Sequence, residues 1–185
     1  MEDLKDTLSP ELVDSYVNQY RGLLKPHVYS GRDRLHAPLT RHEYDQAARR
    51  LNNEIADNYN RYLESWEKPM PFYISVPQVQ EDVMTVEWEA SYDFNGEDIT
   101  YTFELSQRHD FANTIATYRD IAIPMVKLEK LPAGQYFMRV TARNESGLTQ
   151  YAFDCYMTED GKAYGVKCFY VDESGRILED VYVEE

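Results

Sequence analysis

Apolar residues recur every three to four positions over roughly the first third of the chain, and every second position over much of the rest. The first rhythm is helical and the second is that of a half-buried strand. Leu12, Tyr16, Tyr20 and Leu23, flanked by Val13, Val17 and Leu24, form one stripe, which Ser9 caps, Pro10 opens and Pro26 ends. Residues 27–39, with His27, Gly31, His36 and Pro38, read as a loop. Thr40-Arg41-His42-Glu43 has capping-box spacing. It opens a helix to about Lys68 whose buried stripe is expected at Tyr44, Ala47, Ala48, Leu51, Ile55, Tyr59, Tyr62 and Trp66. Such a rod is about 40 Å long. Asn52, Asn53, Asn58 and Asn60 are poor helix formers in its middle.

Pro69 and Pro71 mark a boundary. Beyond it the pattern predicts strands at 72–76, 83–90 and 99–106, with Trp88, Tyr101, Phe103 and Leu105 inward. Shorter strands are predicted at 115–118 and 125–128, on either side of Pro124. After a corner at Pro132 and Gly134, Tyr136, Met138, Val140 and Ala142 face the core, and Asn144-Glu145-Ser146-Gly147 turns the chain into a strand over 149–156. Asp160-Gly161 then reads as a hairpin turn, 163–172 as one strand, and 177–183 as a last one. In that register Glu159 faces Lys162, Cys155 faces Val166, and Cys168 is a diagonal neighbour. The expected class is therefore α+β: two helices in residues 1–69, an antiparallel sandwich over 70–158, and a C-terminal hairpin appended over 159–185. That hairpin is expected to extend one sheet or cover its edge.

Tyr136, two residues after Gly134 at the head of a strand, has the tyrosine-corner arrangement. Together with Val86-Glu87-Trp88 and Ile99-Thr100-Tyr101-Thr102-Phe103, it resembles a fibronectin type III domain over residues 70–158. The resemblance implies a seven-strand sandwich and no reaction. The helical part, through Leu24-Lys25-Pro26-His27-Val28, Thr40-Arg41-His42-Glu43-Tyr44, Ala47, Leu51 and Ile55, is similar to the C-terminal tail of CotH-like spore-coat proteins. The ending Tyr164-Gly165-Val166-Lys167-Cys168-Phe169-Tyr170 is similar to theirs as well. That resemblance implies a kinase-like catalytic part upstream, since no phosphate-binding lobe or metal-binding acid motif of the family lies in these residues.

The net charge of −14 is unevenly shared. Residues 1–70 carry 10 Lys+Arg against 12 Asp+Glu, a net of −2; residues 71–185 carry 9 against 21, a net of −12. Acidic sandwich surfaces repel phosphate backbones, which argues against nucleic-acid binding. No apolar run is long enough to span a membrane, and Met1-Glu2-Asp3-Leu4-Lys5-Asp6 lacks the regions of a signal peptide. Two cysteines, Cys155 and Cys168, are too few for a disulfide scaffold or a zinc site. They are read as two buried free thiols, with a disulfide left open.

No nucleophile elbow, P-loop, zinc motif or dinucleotide fingerprint occurs. His27, His36, His42 and His109 are scattered. Asp93-Phe94-Asn95-Gly96-Glu97-Asp98 has the oxygen donors for a hard cation, but Asn-Gly is also an ordinary loop signal. Asn144-Glu145-Ser146 matches a glycosylation sequon where a turn needs the same residues. An acidic pocket from Glu87, Glu89 and Glu104 would be needed for catalysis, yet alternation points these residues outward to solvent. No catalytic residue, metal or cofactor is therefore assigned. Phe137 also points away from the sandwich core, and an outward aromatic in a central strand needs a cover. The candidates are the long helix, through Tyr59, Tyr62 or Trp66, and the C-terminal hairpin. Phe137, Tyr62 and Trp66 are accordingly the candidate interaction residues. The expected role is a non-catalytic module at a spore coat or extracellular cell surface, partnered by an upstream domain of its own chain or by a coat protein. The competing reading is a carbohydrate- or protein-binding module of a secreted bacterial protein.

Overall fold

A computed structural model describes residues 9–24, 26–28, 30–31, 35–159 and 161–179. The chain divides into two units, residues 1–65 and 66–185. Among the described residues, the helices of the first are α1 (Pro10–Leu24) and α2 (Arg41–Trp66). Ser9 Oγ accepts the Leu12 N–H at 3.3 Å. The capping box closes at Thr40: its N–H and hydroxyl donate to Glu43 Oε2 (2.7 and 2.8 Å), and the Glu43 N–H donates back to Thr40 Oγ1 (3.3 Å). These bonds, the backbone one first, hold the Glu43 carboxyl below its ordinary range. The four Asn residues do not break α2, and an Arg21–Asp45 ion pair (3.0 Å) ties it to α1.

In the second unit two antiparallel sheets face each other. The smaller is β1 (Gln78–Gln80), β2 (Val83–Glu87) and β5 (Met125–Glu129), in the order β1-β2-β5. The larger contains β3 (Ile99–Ser106), β4 (Thr114–Ile121), β6 (Gly134–Asn144), β10 (Val166–Val171) and β11 (Ile177–Glu179), in the order β11-β10-β6-β3-β4. Residues 180–183 of the expected last strand, and Asp160 of the expected turn, lie outside the described residues. The core between the sheets holds Phe72, Ile74, Met84, Val86, Trp88, Tyr101, Phe103, Leu105, Tyr136, Met138, Val140 and Phe169. Inward alternation along β3 and β6 supplies half of these side chains. Tyr136 closes the corner: its ring stacks on Phe169 and its hydroxyl donates to the Pro132 carbonyl at 3.0 Å. This strand order is that of a fibronectin type III-like sandwich.

Three expected strands take other forms. Residues 72–76 make only one bridge, Ile74 to Trp88. Pro71 and Pro77 lack donors, and backbone and side chains share the bonding of the segment: the Ser75 N–H donates to the Glu87 carbonyl (2.9 Å), the Glu89 N–H to the Tyr73 carbonyl (3.0 Å), the Ile74 N–H to Asp154 Oδ2 (2.8 Å), and Lys167 Nζ to the Ile74 carbonyl (2.7 Å). The strand expected over 149–156 stops as β7 (Thr149–Tyr151), and the one expected over 163–172 breaks at Gly165. Gly165 has φ +74°, and a Cβ there would lie 2.8 Å from Tyr151 Cβ, so only glycine fits without displacing backbone or ring.

The expected appended hairpin is consequently an insertion. Both β7 and β10 pair with β6, at Tyr151↔Thr141 and Val166↔Arg139. Between them β8 (Cys155–Thr158) and β9 (Gly161–Tyr164) leave the edge as a separate two-stranded ribbon. The turn falls one position earlier than expected, which shifts the pairing by two residues: Thr158 faces Gly161, and Cys155 faces Tyr164 rather than Val166. Cys168 pairs with Phe137 on β6. Neither cysteine is in a disulfide; Cys168 is buried as expected, whereas Cys155, expected to be buried too, is exposed because it lies on the ribbon that leaves the sheet edge.

Candidate interaction surfaces

Phe137 points out of the sandwich core, as alternation along β6 requires, yet it is only 4% exposed. It sits in a second apolar cluster with Phe111, Val166 and Cys168, against which Tyr156 and Ala163 of the β8–β9 ribbon and Tyr170 pack. Its ring meets Tyr156 edge-on at 4.9 Å and His109 at 6.0 Å. The cluster is roofed with polar bonds. Gln135 Nε2 donates to Tyr170 Oη at 2.9 Å, and the Arg139 guanidinium lies 4.2 Å from the Phe111 ring centre while paired with Glu104 at 2.7 Å. Phe137 is thus an interior residue. The inserted ribbon and the Phe111 loop are its cover.

The other candidate residues separate. Trp66 stacks on Phe94 (4.9 Å, 25°), and Phe94 in turn meets Tyr92 edge-on. Tyr62 lies on α2 and is 45% exposed. Within the second unit, Trp66 is not part of the Phe137 cluster.

The oxygen-rich Asp93 loop is occupied by its own chain. Asn144 is buried and bridges three elements: Nδ2 donates to Asp93 Oδ2 (2.9 Å) and to the Glu67 carbonyl (3.0 Å), and Oδ1 accepts the Leu148 N–H (2.8 Å). Asp93 also accepts the Asn95 N–H at 2.7 Å, and Glu97 accepts the Ser146 N–H at 2.9 Å and its hydroxyl. The donors that calcium would need are therefore tied to the neighbouring turn. The sequon amide is consumed in buried bonds.

The acids proposed for catalysis do not converge either. Glu104 pairs with Arg139, and Glu89 accepts the Tyr73 N–H. Among the described residues no group of three or more His, Cys, Asp or Glu is placed to hold a metal. A small cavity of about 170 Å³ beside Cys155 and Cys168 is bounded by Lys167, which the Ile74 carbonyl, Asp154 (3.4 Å) and Glu179 (3.7 Å) hold in place. Lys167 and Asp154 there act as staples for the 72–75 segment. The Tyr101 hydroxyl accepts the Ser91 N–H, and burial raises its pKa.

The surface that sequence reading missed lies in the helical unit. The stripes expected to be buried are largely open: Tyr16 is 52% exposed, Tyr20 60%, Leu51 42%, and Val13 is the one buried hydrophobic residue among the described residues there. Among the described residues of this unit, two helices packed against each other share one line of contact, and part of each apolar face stays exposed. Between them runs an apolar groove of about 620 Å³. Val13, Tyr16, Val17 and Tyr20 line it from α1, and Tyr44, Ala47, Ala48, Leu51 and Ile55 from α2, with Arg21 and Glu54 as its charged members. Among the described residues no helix is long and apolar enough to cross a membrane.

Neither a protein-family model nor a curated protein matches the sequence. Solved structures do. A twitchin kinase region from C. elegans, spanning fibronectin, kinase and immunoglobulin parts, aligns with 51% of this chain at 18% identity and a TM-score of 0.34. This chain covers only 20% of that one. A mutant of FN3tt aligns with 45% of this chain and 92% of its own, at 17% identity and a TM-score of 0.28. The fibronectin-like character of the sandwich unit rests on its strand order and its tyrosine corner.

Proposed function

We propose that this chain is a non-catalytic interaction module whose helical unit docks on a partner and whose sandwich unit is a rigid, self-contained spacer. The observation that carries this reading is the contrast between the units. The sandwich buries a continuous core, whereas the helical unit leaves an apolar groove open, which is costly unless something covers it. On the helical residues quoted above, we extend the proposal to a larger CotH-like parent at a spore coat or cell surface, with the module at its C-terminal end. An antibody against this chain, applied to blots of cells, spores and medium, tests that extension. A band far above the size of the chain, enriched in the spore or surface fraction, is expected. A band at the size of the chain alone would remove the parent.

A second reading draws on exposed aromatics of the sandwich. Tyr73 and Phe153 are 51% and 61% exposed and meet edge-on at 5.7 Å. Such rings stack on the apolar faces of sugars, and the net charge of −14 favours a neutral glycan over an anionic one. Retention on insoluble neutral polysaccharides that Tyr73→Ala abolishes would favour it. Retention equal in the variant would exclude this site.

A further inference from the structure

The inference concerns what closes the helical groove, and so it rests on the docking role just proposed. We propose that the groove pairs with the same groove of a second copy across a two-fold axis, closing a four-helix bundle. A two-fold contact uses one patch twice, so that patch must carry both projections and recesses. This one does. Val13 is buried and Val17 and Ala48 are half-buried along it, and Tyr16, Tyr20 and Leu51 stand out, each two-fifths exposed or more. Large side chains of one copy then enter the recesses of the other, as knobs enter holes in helix bundles.

Charge points the same way. The two ionic residues of the groove, Arg21 and Glu54, have opposite signs. Across a two-fold axis in antiparallel pairing, each copy presents its Arg21 toward the other's Glu54. Arg21 already holds Asp45 and retains further N–H donors. Residues 1–70 carry a net of only −2, whereas residues 71–185 carry −12. Self-association through the helices meets little repulsion, and through the sandwich it meets much. Size sets the strength. The shared face is about 22 Å long, the length of α1, and about 20 Å wide, two helix diameters. Two copies therefore bury on the order of 1,000 Å², the lower bound for a specific interface. An interface of this size is at the weak, reversible end, so the dimer is expected to form and dissociate with concentration.

The test is light scattering of the full chain over a concentration series, with an apolar fluorescent dye in parallel. The expected mass climbs from one copy to two across the series, and Ala48→Arg, which places a charge on the groove floor, stays at one copy. Near-ultraviolet circular dichroism from Trp88 and the surrounding core checks that the variant's sandwich is intact. Leu51→Asp, at a projecting position, should have the same effect and guards against one badly folded variant. A dimer that persists in both variants uses another face and overturns the proposal. A wild-type monomer at all concentrations also overturns it, and the dye then separates two cases. Dye binding that Ala48→Arg abolishes leaves the groove open for a different partner, so the docking role stands. No dye binding at all means the chain fills its own groove, and the docking role falls too.

Discussion

Replacing Asn144 by Ala should be among the most damaging single changes in the sandwich unit, although Asn144 lies at the end of a strand beside a turn. Its amide makes three bonds: one to the Asp93 carboxylate, one to the Glu67 carbonyl, and one from the Leu148 N–H. Two neutral hydrogen bonds are worth about 1 kcal/mol each, and one to a charged group about 1.5–3 kcal/mol. Asp93 is 9% exposed and keeps its bond from the Asn95 N–H, so part of the charged contribution survives. The net cost is then about 3 kcal/mol, or about 10 °C in Tm for a unit of this size. Urea unfolding followed by the fluorescence of Trp88 measures it. Asp93→Asn should cost less alone, because a neutral amide tolerates burial without a charged partner. Combined with Asn144→Ala it should also fall short of additivity by about 1 kcal/mol or more. A loss below about 0.5 kcal/mol for Asn144→Ala, or strict additivity of the pair, would show that the bridge contributes little and that the Asp93 loop has some other tether.

Phe137→Ala empties the second cluster and should cost about 3 kcal/mol or more, with the β8–β9 ribbon losing hydrogen-exchange protection before the sheet does; equal loss in both would contradict its role as the ribbon's anchor. Tyr136→Phe removes only the bond to Pro132 and should cost about 1 kcal/mol by denaturant unfolding, and an unchanged midpoint would mean the corner bond is replaced by water. Glu43, Asp110 and Asp172 have lowered folded pKa values, through hydrogen bonds from Thr40, Arg108 and Ser174 respectively. Their contribution is present above the ordinary carboxylate range and is lost as pH falls through the lowered values, so a Tm series in acid should decline there; a Tm rising on acidification would reverse the sign. Cys155 should react with a thiol reagent at once and Cys168 only on unfolding, and two fast thiols would contradict the burial of Cys168.

Much of this fold was legible because alternation is a strong signal where one face is buried. Ile99–Ser106 was readable to its ends, and Tyr136 announced its corner through Pro132 and Gly134. What stayed hidden depends on partners distant in sequence. Residues 72–75 look like a strand and do bond the backbone of Glu87 and Glu89, but the Ile74 N–H and carbonyl are held by Asp154 and Lys167, more than a third of the chain away. The last edge strand looks like two consecutive strands, and only the close approach of Gly165 to Tyr151 reveals that a ribbon has been inserted into it. That ribbon explains why Phe137 is covered, whereas its outward direction alone suggested either a cover or a binding face. The helical stripes show the opposite failure. Their periodicity correctly marks an apolar face on each helix, but periodicity does not say whether anything lies against that face.

Hydrogen exchange of the full chain across a dilution series measures whether the helical groove is open. With an open groove, amides of α1 and α2 exchange much faster than those of β3 and β6 at high dilution. Their protection then grows with concentration while that of the strands does not. Helices as protected as the central strands at the greatest dilution would mean that the chain already covers its own apolar stripe. The groove would then not be a docking surface.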